Sequence, residues 1–266
     1  VWDDHHLDLL EFHEESRSVE RLDGEICVIF RGKVVCEGQF MGLHCALRYH
    51  IYAGGRVLVS VSGDPFGMWP EVLPRMGVSL DIRKDFASCE WFGLGWNENY
   101  PDRRASVKKG LFRADVPAMS VLYDRPQENG CRCETDFLSL LAENAVGISV
   151  VGSPDLAFSV HDYTLSALLH AEHRHELVKD ETYNHLYLDY AVRGLGSNSC
   201  GPEPESEFEL HVHPYTFAFL LTPAADASEL SALHRFAFEE KSCRRGADYR
   251  YDGQISLKKE NLDCRI

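Results

Sequence analysis

The sequence predicts an all-β protein built as a large antiparallel β-sandwich, and three observations carry that expectation. From Gly24 to Ile82 the chain is a succession of short apolar runs with period-2 alternation, clear in Leu47, Tyr49, Ile51 and again in Val57, Val59, Val61. Turn chemistry separates the runs, as Gly54-Gly55 and Gly63-Asp64-Pro65. Only Thr164 to His170 carries a convincing helix signal, a capping threonine followed by Leu165, Leu168 and Leu169 on one face.

The chain has 266 residues, 44% of them hydrophobic and 26% charged, enough for a full core in one large domain. A formal net charge of −15 repels phosphate backbones and anionic lipid, which argues against nucleic acid and against a basic membrane patch, and for a neutral partner. Apolar runs such as Phe217 to Leu221 are too short to cross a bilayer. The nine cysteines are odd in number and without a framework spacing, so they are expected to be reduced and in part buried, which points to the cytoplasm.

In chain order, residues 1 to 20 are acidic and histidine-containing, and a short helix or irregular lead-in is expected. The His5-His6 pair and His13 match no ligand template, so solvent exposure is the reading. Strands are expected at 26–30, 33–36, 41–51, 57–61 and 78–82, joined as a meander. Trp91 to Arg104 then packs aromatics, Gly93, Gly95 and a Tyr100-Pro101 turn ahead of Asp102, Arg103 and Arg104, a strand end running into an ordered polar loop. Tyr123 to Arg132 repeats that chemistry with Pro126, Glu128, the Asn129-Gly130 corner and Arg132.

The acids of these loops invite a glycosidase assignment, which needs two carboxyl groups about 5 to 9 Å apart. Glu98 with Asp102 or Glu128 is the pairing to weigh. Each acid sits near Arg103, Arg104, Arg125 or Arg132 in sequence, and salt-bridged carboxylates stay ionised, so a loop network clamped by ion pairs is expected instead of catalysis. Cys131 and Cys133 are too close for a zinc knuckle and read as alternating strand residues. The β pattern continues at 136–141 and 146–151, and the run Leu156 to Val160 precedes the helix signal.

His173 and His175 form an H-x-H pair with no third ligand marked, so no metal site is assigned. Gly194 to Gly196 resembles a phosphate cradle only superficially, because Glu203-Pro204-Glu205 follows where a helix would be needed. Phe208 to Val212 and Tyr215 to Leu221 read as a final strand pair, and a helix is expected within 227–240.

Several of these stretches resemble one family. Trp91 to Arg103 follows WxGxGxxENYPDR, Pro126 to Arg132 follows PxENGxR, Leu73 to Gly77 follows LPRxG, and Gly194 to Pro202 follows GxGxxSCGP. Taken in chain order, from Leu73 to Pro202, they are similar to the small-chain (fifth) domain of the large bacterial-type β-galactosidases. The resemblance is densest over 73–223 and implies a galactose-mutarotase-like sandwich over 1–223, lacking its first strands, with 224–266 as an extension. It implies Trp91, Gly93, Gly95, Glu98, Asn99, Tyr100, Pro101, Asp102, Arg103, Pro126, Glu128, Asn129, Gly130 and Arg132 as structural motif residues. It implies Ser199, Cys200, Gly201 and Pro202 as a loop lining the sugar pocket, although some relatives have a sugar-stacking tryptophan where this chain has Cys200.

The implied activity is hydrolysis of terminal β-D-galactosides such as lactose, in an oligomeric enzyme. Its catalytic glutamates, magnesium and sodium belong to a TIM-barrel portion of about 250 residues, in the same longer chain or a separate large subunit. No cofactor and no catalytic residue is therefore expected in this chain. Two other classes remain open: a free-standing sugar-binding module, and an aldose epimerase with His161 or His173 as base.

Overall fold

A computed structural model describes residues 2–22, 24–196, 202–236, 238–241 and 254–257. In chain order the strands are β1 (Glu11–Leu22), β2 (Glu25–Val35), β3 (Met41–Tyr52), β4 (Val57–Gly67), β5 (Arg75–Arg83), β6 (Ser88–Gly95), β7 (Lys108–Asp115), β8 (Arg132–Leu141), β9 (Gly147–His161), β10 (Tyr183–Val192), β11 (Tyr215–Pro223), β12 (Phe238–Lys241) and β13 (Gln254–Leu257). The helices are short: α1 (Val116–Met119), α2 (Leu165–His170) and α3 (Ala227–Phe236). The class is the expected one, all-β with antiparallel pairing.

The chain forms two compact units, 1–73 with 150–154 and 211–266, and 74–149 with 155–210. In the first, β1, β2, β3, β4 and β11 lie side by side in that order. β4 is buried on both faces over 58–63, and β3 buries Met41, Cys45, Arg48 and Tyr52 while Leu47 and Tyr49 are half-buried and Ile51 is exposed, so the apolar alternation of the sequence does not mark a single core face. Leu58, Phe217, Phe219 and Leu220 are buried there, with Arg48 donating to Ser62 Oγ at 3.3 Å. α3 belongs to this unit, and Arg56 donates to Glu229 at its first turn, 2.9 Å apart.

In the second unit, β7, β6 and β8 run in a row, and β10 pairs with both β5 and residues 157–161 of β9. Trp91, Leu138, Phe158, Leu186 and Leu188 are wholly buried and form its apolar interior. Gly93 is glycine because a Cβ there would stand 2.4 Å from Thr135 Oγ1.

Several local expectations are corrected. Residues 11–22 are a strand and not part of a helical or irregular lead-in. The runs at 26–30 and 33–36 are one strand, as are those at 146–151 and 156–160. Phe208 to Val212 is not a strand: Ser206–Phe208 is a 3-10 turn, and β11 takes β4 as partner instead. An isolated apolar alternation does not name its partner, and Tyr215 packing on Gly63 fixes this one, since a Cβ on Gly63 would meet the Tyr215 ring at 2.4 Å.

Candidate functional site

The loop after β6 is built from its own sequence. Trp91 is buried and directs its indole N–H at the Leu94 carbonyl, 3.4 Å away, while Trp96 is 54% exposed and lies stacked beside it. Asn99 is buried and replaces missing strand partners: its Nδ2 donates to the Leu94 and Asn97 carbonyls, and its Oδ1 accepts the Cys133 N–H at 2.9 Å. Tyr100-Pro101-Asp102-Arg103 closes as a β-turn, with the Arg103 N–H on the Tyr100 carbonyl at 2.8 Å and proline at its favoured second position.

That turn aims Asp102 at the glycine-rich stretch. Its carboxylate accepts the Leu195 N–H at 3.1 Å and the Gly196 N–H at 2.7 Å, and Arg103 donates to the Gly196 carbonyl at 2.9 Å. Gly196 has a φ of +81°, and a Cβ there would lie 2.6 Å from the Pro202 carbonyl oxygen. The Asp102-Arg103 pair therefore holds the Leu195-Gly196 side, and the Pro202 backbone lies close against Gly196. Ser199, Cys200 and Gly201 lie outside the described residues, and Pro202 is exposed.

The second motif folds onto the first. Glu98 accepts the Tyr123 hydroxyl at 2.6 Å and the Gly130 N–H at 2.7 Å. Gly130 sits at φ +80°, and a Cβ would come within 2.8 Å of His161 Cε1. Asn129 is buried, accepts the Val121 N–H at 3.0 Å and reaches the Tyr163 hydroxyl. Arg132, also buried, donates to the carbonyls of Met119 and Gly130 and lies over the Trp91 ring. Pro126 bounds this loop at half-buried depth.

Beneath these loops lies an ionic centre. Arg75, from the LPRxG motif, donates to Glu128 Oε1 at 3.1 Å and stands 3.6 Å from Asp189, which is 1% exposed. Tyr100 donates to the same Glu128 oxygen at 3.1 Å. Burial pushes the Asp189 carboxyl up to about 7, against the pull of Arg75 and with the help of Glu128.

The loop network is thus present, but not clamped as expected. Glu98 and Asp102 are held by a phenol and backbone N–H groups, and Glu128 by Arg75 and Tyr100. Arg104 pairs instead with Glu134, and Arg125 is exposed. Arg75 and Tyr123 lie in stretches that the sequence singles out, but their partners, and Asp189 altogether, are not legible there because each sits in a different element from its partner. An aspartate inside the apolar run of β10 was the available signal.

The acids of the motif loops act here as acceptors inside the fold. His161 is 1% exposed with its Nδ1 bonded to Ser120 Oγ at 2.8 Å; burial, aided by Arg75 and Arg132, lowers it to about 3, so it is a poor base for an outside substrate. His173 is exposed at the start of a 3-10 turn and bonded to Glu176. Among the described residues no three His, Cys, Asp or Glu side chains converge as metal ligands.

The model of the beta galactosidase small chain matches residues 1–221. The chain belongs to the β-galactosidase small-chain family. A β-galactosidase of Arthrobacter sp. (strain B7) is 33% identical over 156 residues, 57% of this chain and 15% of that protein. One from Kluyveromyces lactis is 30% identical over 207 residues, 76% of this chain and 20% of that protein. This small-chain family member therefore spans a fifth or less of the curated relatives it matches. Among solved structures, a galactose mutarotase related enzyme from Lactobacillus acidophilus is 8% identical with a TM-score of 0.26, covering 81% of this chain and 71% of that one. That likeness is too slight to bear on the fold, which the strand pairing itself defines. No described helix of this small chain is long and apolar enough to cross a membrane.

Proposed function

We propose that this chain is the small-chain portion of an oligomeric β-galactosidase that hydrolyses terminal β-D-galactosides such as lactose. It completes the galactose pocket with the 199–202 loop and contributes to the subunit interface, while the catalytic glutamates, magnesium and sodium reside in a TIM-barrel portion outside this chain. The observation that carries the reading is Asp102 gripping the Leu195 and Gly196 N–H groups, which braces the base of the proposed pocket loop. The bonding of Glu98, Asp102 and Glu128 within the fold supports a positioning role over a catalytic one. Six described cysteines, all free and buried, support a reducing compartment, the cytoplasm.

The pure chain is expected to hydrolyse no galactoside; turnover lost on Glu98→Gln or Glu128→Gln would overturn the assignment. Assembled with a β-galactosidase catalytic portion, Asp102→Ala is expected to lower kcat/KM for lactose by about tenfold, the equivalent of about 1.4 kcal/mol. Unchanged kinetics in an intact assembly would count against the pocket role.

A further inference from the structure

The first unit has a cleft of its own, of about 500 Å³, between the segment that follows β4 and residues 211–212. Gly67 ends β4 with a φ of +79°, and a Cβ there would stand 2.1 Å from the Phe40 carbonyl oxygen. This close approach turns the chain outward into Met68-Trp69-Pro70-Glu71, which lines the cleft. Trp69 is half-exposed, and its indole N–H is held by the Phe66 carbonyl at 3.1 Å, which fixes the ring. The Glu71 side chain is exposed, and its backbone carbonyl accepts the His211 Nδ1–H at 2.7 Å, tying one wall to the other. Met68 is 74% exposed beside Phe40, which is 76% exposed.

We propose that this cleft binds a neutral sugar of about disaccharide size. Small-ligand sites run from about 300 to 1,000 Å³, and a pyranose presents an apolar C–H face to an aromatic ring and hydroxyls to a carboxylate. A fixed tryptophan, an exposed carboxylate and an apolar margin match those surfaces in turn. The net charge of −15 opposes an anionic ligand, and a single aromatic wall is not the cage that a quaternary ammonium ion requires. The site is in the other unit from the 194–202 loop and depends on different residues.

Calorimetric titration of the full chain with lactose and with cellobiose tests this, with tetramethylammonium as control. Saturable binding of at least one sugar is expected, with Kd on the order of 1 mM. Trp69→Ala should weaken it at least about tenfold and Glu71→Gln severalfold, with unchanged circular dichroism, while Cys200→Ser leaves it intact. Absence of saturation by both sugars, binding that survives both cleft substitutions, or saturation by tetramethylammonium alone would overturn the proposal. Binding lost in Cys200→Ser and kept in Trp69→Ala would also overturn it, while supporting the pocket role proposed for the 199–202 loop.

Discussion

His161 and Asp189 are both about 1% exposed in the second unit, and burial displaces them to opposite sides of their ordinary values. The histidine, at about 3 instead of 6.5, stays neutral in the folded chain when the unfolded chain takes a proton. Its contribution is present above about pH 6.5 and lost as pH falls toward 3, a difference on the order of 5 kcal/mol. The aspartate, at about 7 instead of 3.8, keeps its proton in the folded chain. Its contribution is present below about pH 3.8 and lost as pH rises through 7. Between about pH 4 and 6.5 the two slopes oppose each other and nearly cancel. Asp189→Asn should expose a loss of stability on acidification across that window, and His161→Gln a loss on raising the pH. Denaturant unfolding at several pH values reads both, and variants that keep the parent profile would refute the account. Neither role was legible in the sequence, because it depends on what surrounds each side chain. The arginines near the acids in sequence were misleading for the same reason.

α2 was readable in full, since a cap and an apolar face are local signals. Thr164 accepts the Ala167 N–H at 3.0 Å, and Thr164→Ala is expected to cost about 1 kcal/mol, or about 2 to 4 °C in Tm. A melt within about 0.5 °C of the parent would show that the cap contributes nothing. Strands were readable where apolar residues recur every second position, as in β3 and β4, and unreadable in β1, whose residues are exposed on both faces except for half-buried Ser18. The Phe208 to Val212 run misled because it begins in a turn whose Phe208 carbonyl accepts the Gly194 N–H at 2.9 Å.

At the scale of the whole molecule, the motif loops were legible because buried Asn99, Asn129 and Arg132 leave few chemical substitutes for the bonds they make. The two units were not, since the chain leaves the first at 73, returns for 150–154 and again at 211, and no change of composition marks those crossings. β1 has a further consequence. Among the described strands it pairs with β2 alone, so its outer margin offers a row of backbone donors and acceptors to any passing strand. Glu11, Glu14, Glu15, Arg17, Glu20 and Arg21 stud that ribbon, and its register shifts between Glu14 and Ser16. Replacing Glu14, Glu15, Arg17 and Glu20 with threonine should leave secondary structure intact and yield thioflavin-positive fibrils on storage, where the parent stays clear. Clear solutions from both would mean that the charges are incidental. The ribbon's charge pattern is, on this view, a guard against templated polymerisation, a hazard that a strand carries whether or not any sugar is ever bound.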